Sequence, residues 1–289
     1  MILDIIITTL INGSIYALLA IGFSLVFGVA RIVNIAHTAF YMVAAYCIFF
    51  STHKLGIPPV AAMFAAIAVT VVLGILTYKF FMEPIREHEA AVLIATIAIA
   101  MILQEIMLLL FSGDFRSVPP LIEGYTAIGG VKIAYQQLLT IAIALLTLAG
   151  VWVFIKKTRL GLAIRSTAQD REVANLMGMN EARIAMTTMG VSVGLAAFTG
   201  AVVVPLTVLN PHMWMHPLIM MMAVVVLGGM GSLKGSFAGA YILGLAEALV
   251  VFLIPLGSYL KGSVALSIMI LVLIIRPEGL FGVAFEEER

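Results

Sequence analysis

The sequence predicts an all-α protein that crosses a membrane roughly eight or nine times. Three observations carry that expectation. Of the 289 residues, 63% are hydrophobic and only 11% are charged, and the mean hydropathy is +1.16, far from the balance of a water-soluble domain. The apolar residues fall in long runs, of the length a ~30 Å hydrocarbon core requires. Those runs do not alternate with polar residues, so helices rather than a closed barrel are expected to satisfy the backbone. The chain reads as one membrane-spanning domain, residues 1–289, with no room for a separate ATPase fold. A net charge of +1 gives no ground for nucleic-acid binding, and one cysteine, Cys47, excludes an internal disulfide.

The first span covers residues 5–29. Its start lacks the basic head of a signal peptide, so it is expected to be retained. Asn12, Ser14, Tyr16 and Ser24 interrupt it. Polar groups are costly in lipid, so Asn12 and Tyr16 should face protein or a wet cavity. Arg31 ends this span, and Asn34 and His37 open a second, running to about Phe50. A third follows Pro58-Pro59 and ends near Phe81, and a fourth covers residues 90–111. That fourth span carries Glu105, which must face the bundle, pair, or sit near the far interface.

Residues 112–137 have no apolar run and read as a small extracytoplasmic loop. Pro119-Pro120, Gly124 and Gly129-Gly130 mark turns, and VKIAY at 131–135 alternates like a short strand. A fifth span covers residues 138–155. A sixth covers 184–209, with Gly190 and Gly194 in small-xxx-small spacing and Pro205 expected to kink it. NPHMWMHP at 210–217 reads as an interface turn. The apolar run before Gly228-Gly229 holds only about a dozen residues, too few to cross unaided. Either a half-helix ends at the glycines, or two spans meet in a tight turn at GGMGSLKG. Glu247, the deepest acid, lies beyond that break and, with Glu105, has no basic partner assigned in the spans. A last span, 263–275, leads into RPEGLFGVAFEEER.

If loops alternate from an outer N-terminus, only Lys54, Arg116, Lys132 and Lys261 lie outside, and the remaining 12 of 16 basic residues lie inside with the C-terminus. That asymmetry is the one cytoplasmic loops carry. The richest inner segment is residues 156–183, KKTRLGLAIRSTAQDREVANLMGMNEAR. Within it Asp170 is placed to N-cap a short helix, Glu172 suits the positive helix start, and Gly178 is a natural terminator. Asn180 reads as the N-cap of the next span.

Catalytic and cofactor chemistry is not indicated. GGMGSLKGS has the order Lys234-Gly235-Ser236, not the Gly-Lys-Ser/Thr of a phosphate loop, and it lacks the third glycine of a dinucleotide loop. The five histidines form no metal-ligand spacing; His212 and His216 are flanked by Pro211 and Pro217. No catalytic residues, metal site or cofactor are therefore expected.

Four stretches together resemble the permease subunits of branched-chain amino-acid ABC importers of the LivH type. They are NGSIYALLAIGFSLVFGVARIVNIAH (12–37), TRLGLAIRSTAQDREVANLMGM (158–179), VVLGGMGSLKGSFAGA (225–240) and RPEGLFG (276–282). The resemblance implies a non-catalytic pore subunit of the cytoplasmic (inner) membrane. It would work beside a second homologous permease, two ABC ATPases that bind the ATP, and an extracytoplasmic substrate-binding protein. It also implies that Asp170, Arg171, Glu172, Ala174 and Gly178 form the helix that couples to the ATPase. His37 is followed here by Thr38 and Ala39, where family members commonly carry glycine and then an acid. Asn12, Tyr16, Asn34, His37 and Glu247 are the candidate translocation residues. Urea, short amides or sugars remain alternative substrates within this architecture, and an ion-gradient-driven carrier is the alternative outside it.

Overall fold

The computed structural model describes residues 1–128 and 131–281. The expected Gly129-Gly130 turn and the tail from Gly282, with the C-terminal Arg289 of the charge asymmetry, lie outside the described residues. Helix α1 (Ile2–Ala30) is apolar all round, and every residue from 13 to 26 is buried. A helix with so little polar contrast from side to side belongs inside a bundle, and α1 lies there, buried along its middle. It ends at Arg31, whose backbone is left-handed (φ 56°) and donates its N–H to the Phe27 carbonyl.

Helices α2 (His37–His53) and α3 (Pro59–Thr77) follow, and the latter continues through a wide π turn at Tyr78–Met82 and a 3₁₀ turn at Glu83–Ile85. The first half of the polar segment 82–89 is thus an extension of the third helix, and Glu89 already opens the fourth. Helix α4 (Glu89–Phe111) leads to an antiparallel hairpin of β1 (Tyr125–Ile128) and β2 (Val131–Ala134), in register Tyr125 with Ala134. The alternation at 131–135 announces β2. Its partner YTAI at 125–128 lies in the stretch expected to be loop and turns.

Helix α5 (Tyr135–Lys157) enters a helical segment of two pieces, α6 (Arg159–Gln169) and α7 (Arg171–Leu176). Helix α8 (Glu181–Val203) returns through the bundle. Pro205 does not kink it. The α-helix stops at Val203, and the proline sits inside a single 3₁₀ turn, Val204–Leu206, where its missing N–H costs nothing. Helix α9 (Met215–Gly228) then meets α10 (Leu233–Leu253) at an elbow, and α11 (Lys261–Ile275) is the last helix among the described residues.

Among the described residues six helical stretches are long and apolar enough to cross a membrane: α1, α3 with its extension, α4, α5, α8 with its 3₁₀ turn, and α10. The protein is therefore an all-α polytopic membrane protein. Helix α2 has 17 residues, while α9 and α11 have 14 and 15. Around α1 stand α10 and α8, with α5 and α9 beside them, while α2 packs on α8 and α3. Gly190 and Gly194 of α8 face Ile75 and Val71 of α3, so the small-residue spacing does seat a neighbouring helix. Helices α3, α4 and α5 form the periphery and turn Phe64, Ile94, Leu109 and Leu146 outward, as lipid-facing positions require.

The elbow resolves the ambiguity of GGMGSLKG. A half-length helix ends at Gly228, Gly229 and Gly231 take positive φ (96° and 80°), and Ser232 caps α10 by accepting from the Gly235 N–H. Gly228 and Gly235 touch backbone to backbone, leaving no space for a side chain. The segment after α11 straps this elbow: Leu280 N–H donates to Leu227 O at 2.8 Å and Phe281 N–H to Gly228 O at 3.0 Å. At the opposite end of the bundle, Arg116 of the long loop bridges to Leu209 through two backbone hydrogen bonds, 3.1 and 2.8 Å.

Candidate functional site

Helix α10 is antiparallel to α1, and three side-chain hydrogen bonds stitch the seam. Ser14 meets Tyr241 at 2.8 Å, Tyr16 donates to Glu247 Oε2 at 2.6 Å, and Ser24 meets Ser236 at 2.7 Å. The middle one is part of a larger cluster. Lys261 Nζ, at the first residue of α11, lies 3.2 Å from Glu247 Oε1, and His216 Nε2, in the first turn of α9, lies 4.0 Å from the same oxygen. Glu247 itself is 2% exposed. A buried carboxylate is tolerated only when paired and hydrogen-bonded, and here both oxygens are engaged.

The expectation that Glu247 lacks a basic partner is therefore wrong. Lys261 was read as an outer-loop residue because the apolar run starts two positions later. The helix starts at Lys261, and its 15 residues make it only ~22 Å long. That end consequently reaches inward to the acid. Glu105 is exposed and accepts a 3.3 Å bond from the Gln104 amide. Gln104 also accepts from the buried Trp214 indole at 2.9 Å, so that tryptophan is a packing element.

The structure divides the candidate translocation residues. Tyr16 and Glu247 are brought together. Asn34 and His37 instead dock the α1–α2 junction onto α8, through Met189 Sδ (3.7 Å from Asn34 Nδ2) and Ser192 Oγ (3.2 Å from His37 Nδ1). Gly22 of α1 leaves the space that the imidazole fills; a Cβ there would meet His37 at 3.0 Å. Asn12 is half-buried, one residue from the close contact between Gly13 and Tyr241. Reasoning from sequence missed Lys261 and His216. A lysine at the head of a helix too short to span was the signal for the first.

The segment 156–183 is built as a bracket. Thr158 caps α6 by accepting from the Gly161 N–H, and α6 turns Gly161, Ile164 and Thr167 inward against α1, α5 and α8. This helix was not foreseen, although the i, i+3, i+6 spacing of those residues is its signature. Asp170 accepts from Val173 N–H at 3.0 Å, and Asn180 from Arg183 N–H at 3.0 Å, as the caps require. Gly178 has φ 83° and donates its N–H to Asn175 O at 2.9 Å. Ala174 is buried and Glu172 exposed.

Arg171 points back into the protein. Its Nη1 lies 3.5 Å from Glu181 Oε1, and Arg86 Nη1 lies 3.6 Å from the same oxygen. Burial pushes the Arg171 guanidinium below the ordinary arginine pKa, with Glu181 opposing that shift. What α7 and the residue that ends it turn outward is apolar: Val173 is 53% exposed, Leu176 86% and Met177 75%.

A family model described as the permease component of a branched-chain amino acid transport system matches residues 5–273. The chain belongs to that permease family. It is 33% identical over 285 residues to the high-affinity branched-chain amino acid transport system permease protein BraD of Pseudomonas aeruginosa, covering 93% of this chain and 92% of the relative. It is 30% identical, with the same coverage, to the corresponding LivH of Escherichia coli K12. A probable LivH from Methanocaldococcus jannaschii is 25% identical over 96% of this permease and 92% of the relative. Among solved structures, the PsaBC complex of Streptococcus pneumoniae with Fab aligns with a TM-score of 0.53 and 16% identity, covering 94% of the permease and 91% of that chain. That likeness supports the fold.

Proposed function

We propose that this permease moves branched-chain amino acids into the cell through the cytoplasmic membrane, driven by ATP hydrolysed on partner subunits. The observation that carries the reading is the end-to-end family match, residues 5–273, at up to 33% identity with BraD. The proposed assembly pairs it with a second homologous permease and two ABC ATPases, and an extracytoplasmic binding protein delivers substrate. An outer N-terminus and an inner C-terminus require an odd number of crossings. Among the described residues nine helices would serve, α1, α2, α3, α4, α5, α8, α9, α10 and α11, of which α2, α9 and α11 are shorter than the other six.

In this reading α7 is the coupling helix. Its exposed Val173, Leu176 and Met177 fit an apolar cleft on the ATPase, because apolar side chains exposed on a polar cytoplasmic segment favour a covering partner. Arg171, with Glu181 and Arg86, anchors the helix to the spans, so a push on α7 is delivered to α8 and to the α3–α4 turn. Asp170, Glu172, Ala174 and Gly178 set its ends and seat.

A gradient-driven carrier is the second reading, and the Glu247–Lys261 pair is the observation that favours it. The test is uptake of labelled leucine, isoleucine and valine by proteoliposomes holding the permease with its partners, supplied with ATP inside and binding protein outside. ATP-dependent uptake that vanadate stops and a protonophore does not is the expected result. Protonophore-sensitive uptake without ATP would move the assignment to the carrier. Preferential uptake of urea, short amides or sugars would replace the substrate.

A further inference from the structure

The Glu247 cluster is unusual in where its charges are exposed. Glu247 lies six residues before Leu253 and fourteen after Leu233, so it sits ~9 Å from one end of α10 and ~21 Å from the other. That places it within a hydrocarbon core of ~30 Å. Its carboxylate is enclosed, but Lys261 is 34% exposed and His216 is 43% exposed. A cation exposed at that depth cannot face lipid without a heavy penalty. The face carrying Lys261 and His216 must therefore look onto water or another protein surface. An inner carboxylate behind an outer ammonium is also the charge image of a zwitterion.

We propose that Glu247 and Lys261 form a station for an α-amino-acid zwitterion on the translocation path. The inference rests on the amino-acid reading above and gives it a site on this chain. The substrate enters from the exposed side and inserts into the pair, its carboxylate facing Lys261 Nζ and its ammonium facing Glu247. Every charge stays matched during the exchange and the net charge of the site does not change, so the desolvation that isolated charges would suffer is avoided. Tyr16 holds the carboxylate through its 2.6 Å hydrogen bond. His216, whose Nε2 is enclosed and has no hydrogen-bond partner among the described residues, borders the acid's second oxygen. Matching both charges leaves the side chain of the substrate unread, so discrimination among neutral amino acids falls to other residues.

The test is a charge cycle in the assembled importer, reading KM and kcat for leucine uptake in proteoliposomes. Glu247→Gln, Lys261→Gln and the double variant are compared, with co-purification of the partners as the assembly control. Each single change is expected to lower kcat/KM about tenfold or more, the effect of losing a charge-assisted contact. The double variant is expected to stay as low, because both halves of the station are gone. Recovery of the double variant to near wild-type uptake would overturn the proposal, since a merely structural pair is repaired when both charges are removed. Lys261→Arg and Tyr16→Phe cover the case in which a neutralised chain fails to assemble: Arg should retain uptake, and Phe should raise KM several-fold. Wild-type KM and kcat in Tyr16→Phe, or loss of uptake in an assembled Lys261→Arg complex that still hydrolyses ATP, would count against the station. If the wild-type importer takes up no amino acid at all, the functional reading falls first and the station with it.

Discussion

At the scale of single residues, Gly178 shows how one backbone angle can matter. Its φ of 83° is a conformation that an L side chain reaches only at a cost of about 1–2 kcal/mol. Space is not the obstacle, since nothing lies within 4 Å of a Cβ built there. Gly178→Ala is therefore expected to weaken the end of α7 by about that amount and to lower uptake modestly. Gly178→Pro cannot adopt the angle and also loses the bond to Asn175, so it should abolish coupled uptake while leaving membrane insertion intact. Uptake assays beside a membrane-fraction blot separate the two. At Gly22 the constraint is spatial: Gly22→Val would drive a branched side chain into His37 and the Ser192 carbonyl. It should lower the melting temperature of the detergent-solubilised permease, with overpacking of about 1–3 kcal/mol. His37 is thereby held between Gly22 and Ser192.

At the scale of elements, α7 is a short helix held by its ends and by a charge anchor. Its outward residues are the ones a partner would cover. Leu176→Asp is expected to lower ATPase co-purification and ATP-driven uptake about tenfold, the effect of removing one well-buried apolar contact. Arg171→Ala should reduce coupling without changing the outward face, and it is checked by the ratio of ATP hydrolysed to leucine moved. The caps around α7 and at the start of α8 were legible because Asp170, Gly178 and Asn180 act on neighbouring backbone, where sequence spacing fixes geometry. Long-range partners were not. That Tyr16 would meet Glu247 depends on how α1 packs along α10, which no local pattern states, and that Lys261 would complete the pair depends on α11 being too short to span as well as on where α11 packs. Span ends were legible to within a few residues, whereas Pro205 showed the limit: proline can stop a helix or bend it, and only the packing around it decides.

At the scale of the whole molecule, the proposed topology puts the hairpin and the coupling segment on opposite sides of the membrane. Single cysteines at Thr126 and Leu176, introduced in a Cys47→Ser background, check it. The first should react with an impermeant maleimide in intact cells, and the second only after the membrane is opened. Labelling of both from one side would refute nine crossings with an outer N-terminus.

The seam between α1 and α10 bears on how the protein is made. Its three side-chain bonds join residues 227, 231 and 212 positions apart in the chain. Helix α1 leaves the ribosome long before α10 exists, and in that interval Ser14, Tyr16 and Ser24 have none of their eventual partners. The newborn helix therefore waits in the bilayer, or against the insertion machinery, with three hydroxyls unmatched. A chain that stalls or mis-threads before α10 would keep those groups on display, a mark by which membrane proteases can tell an unfinished permease from a finished one.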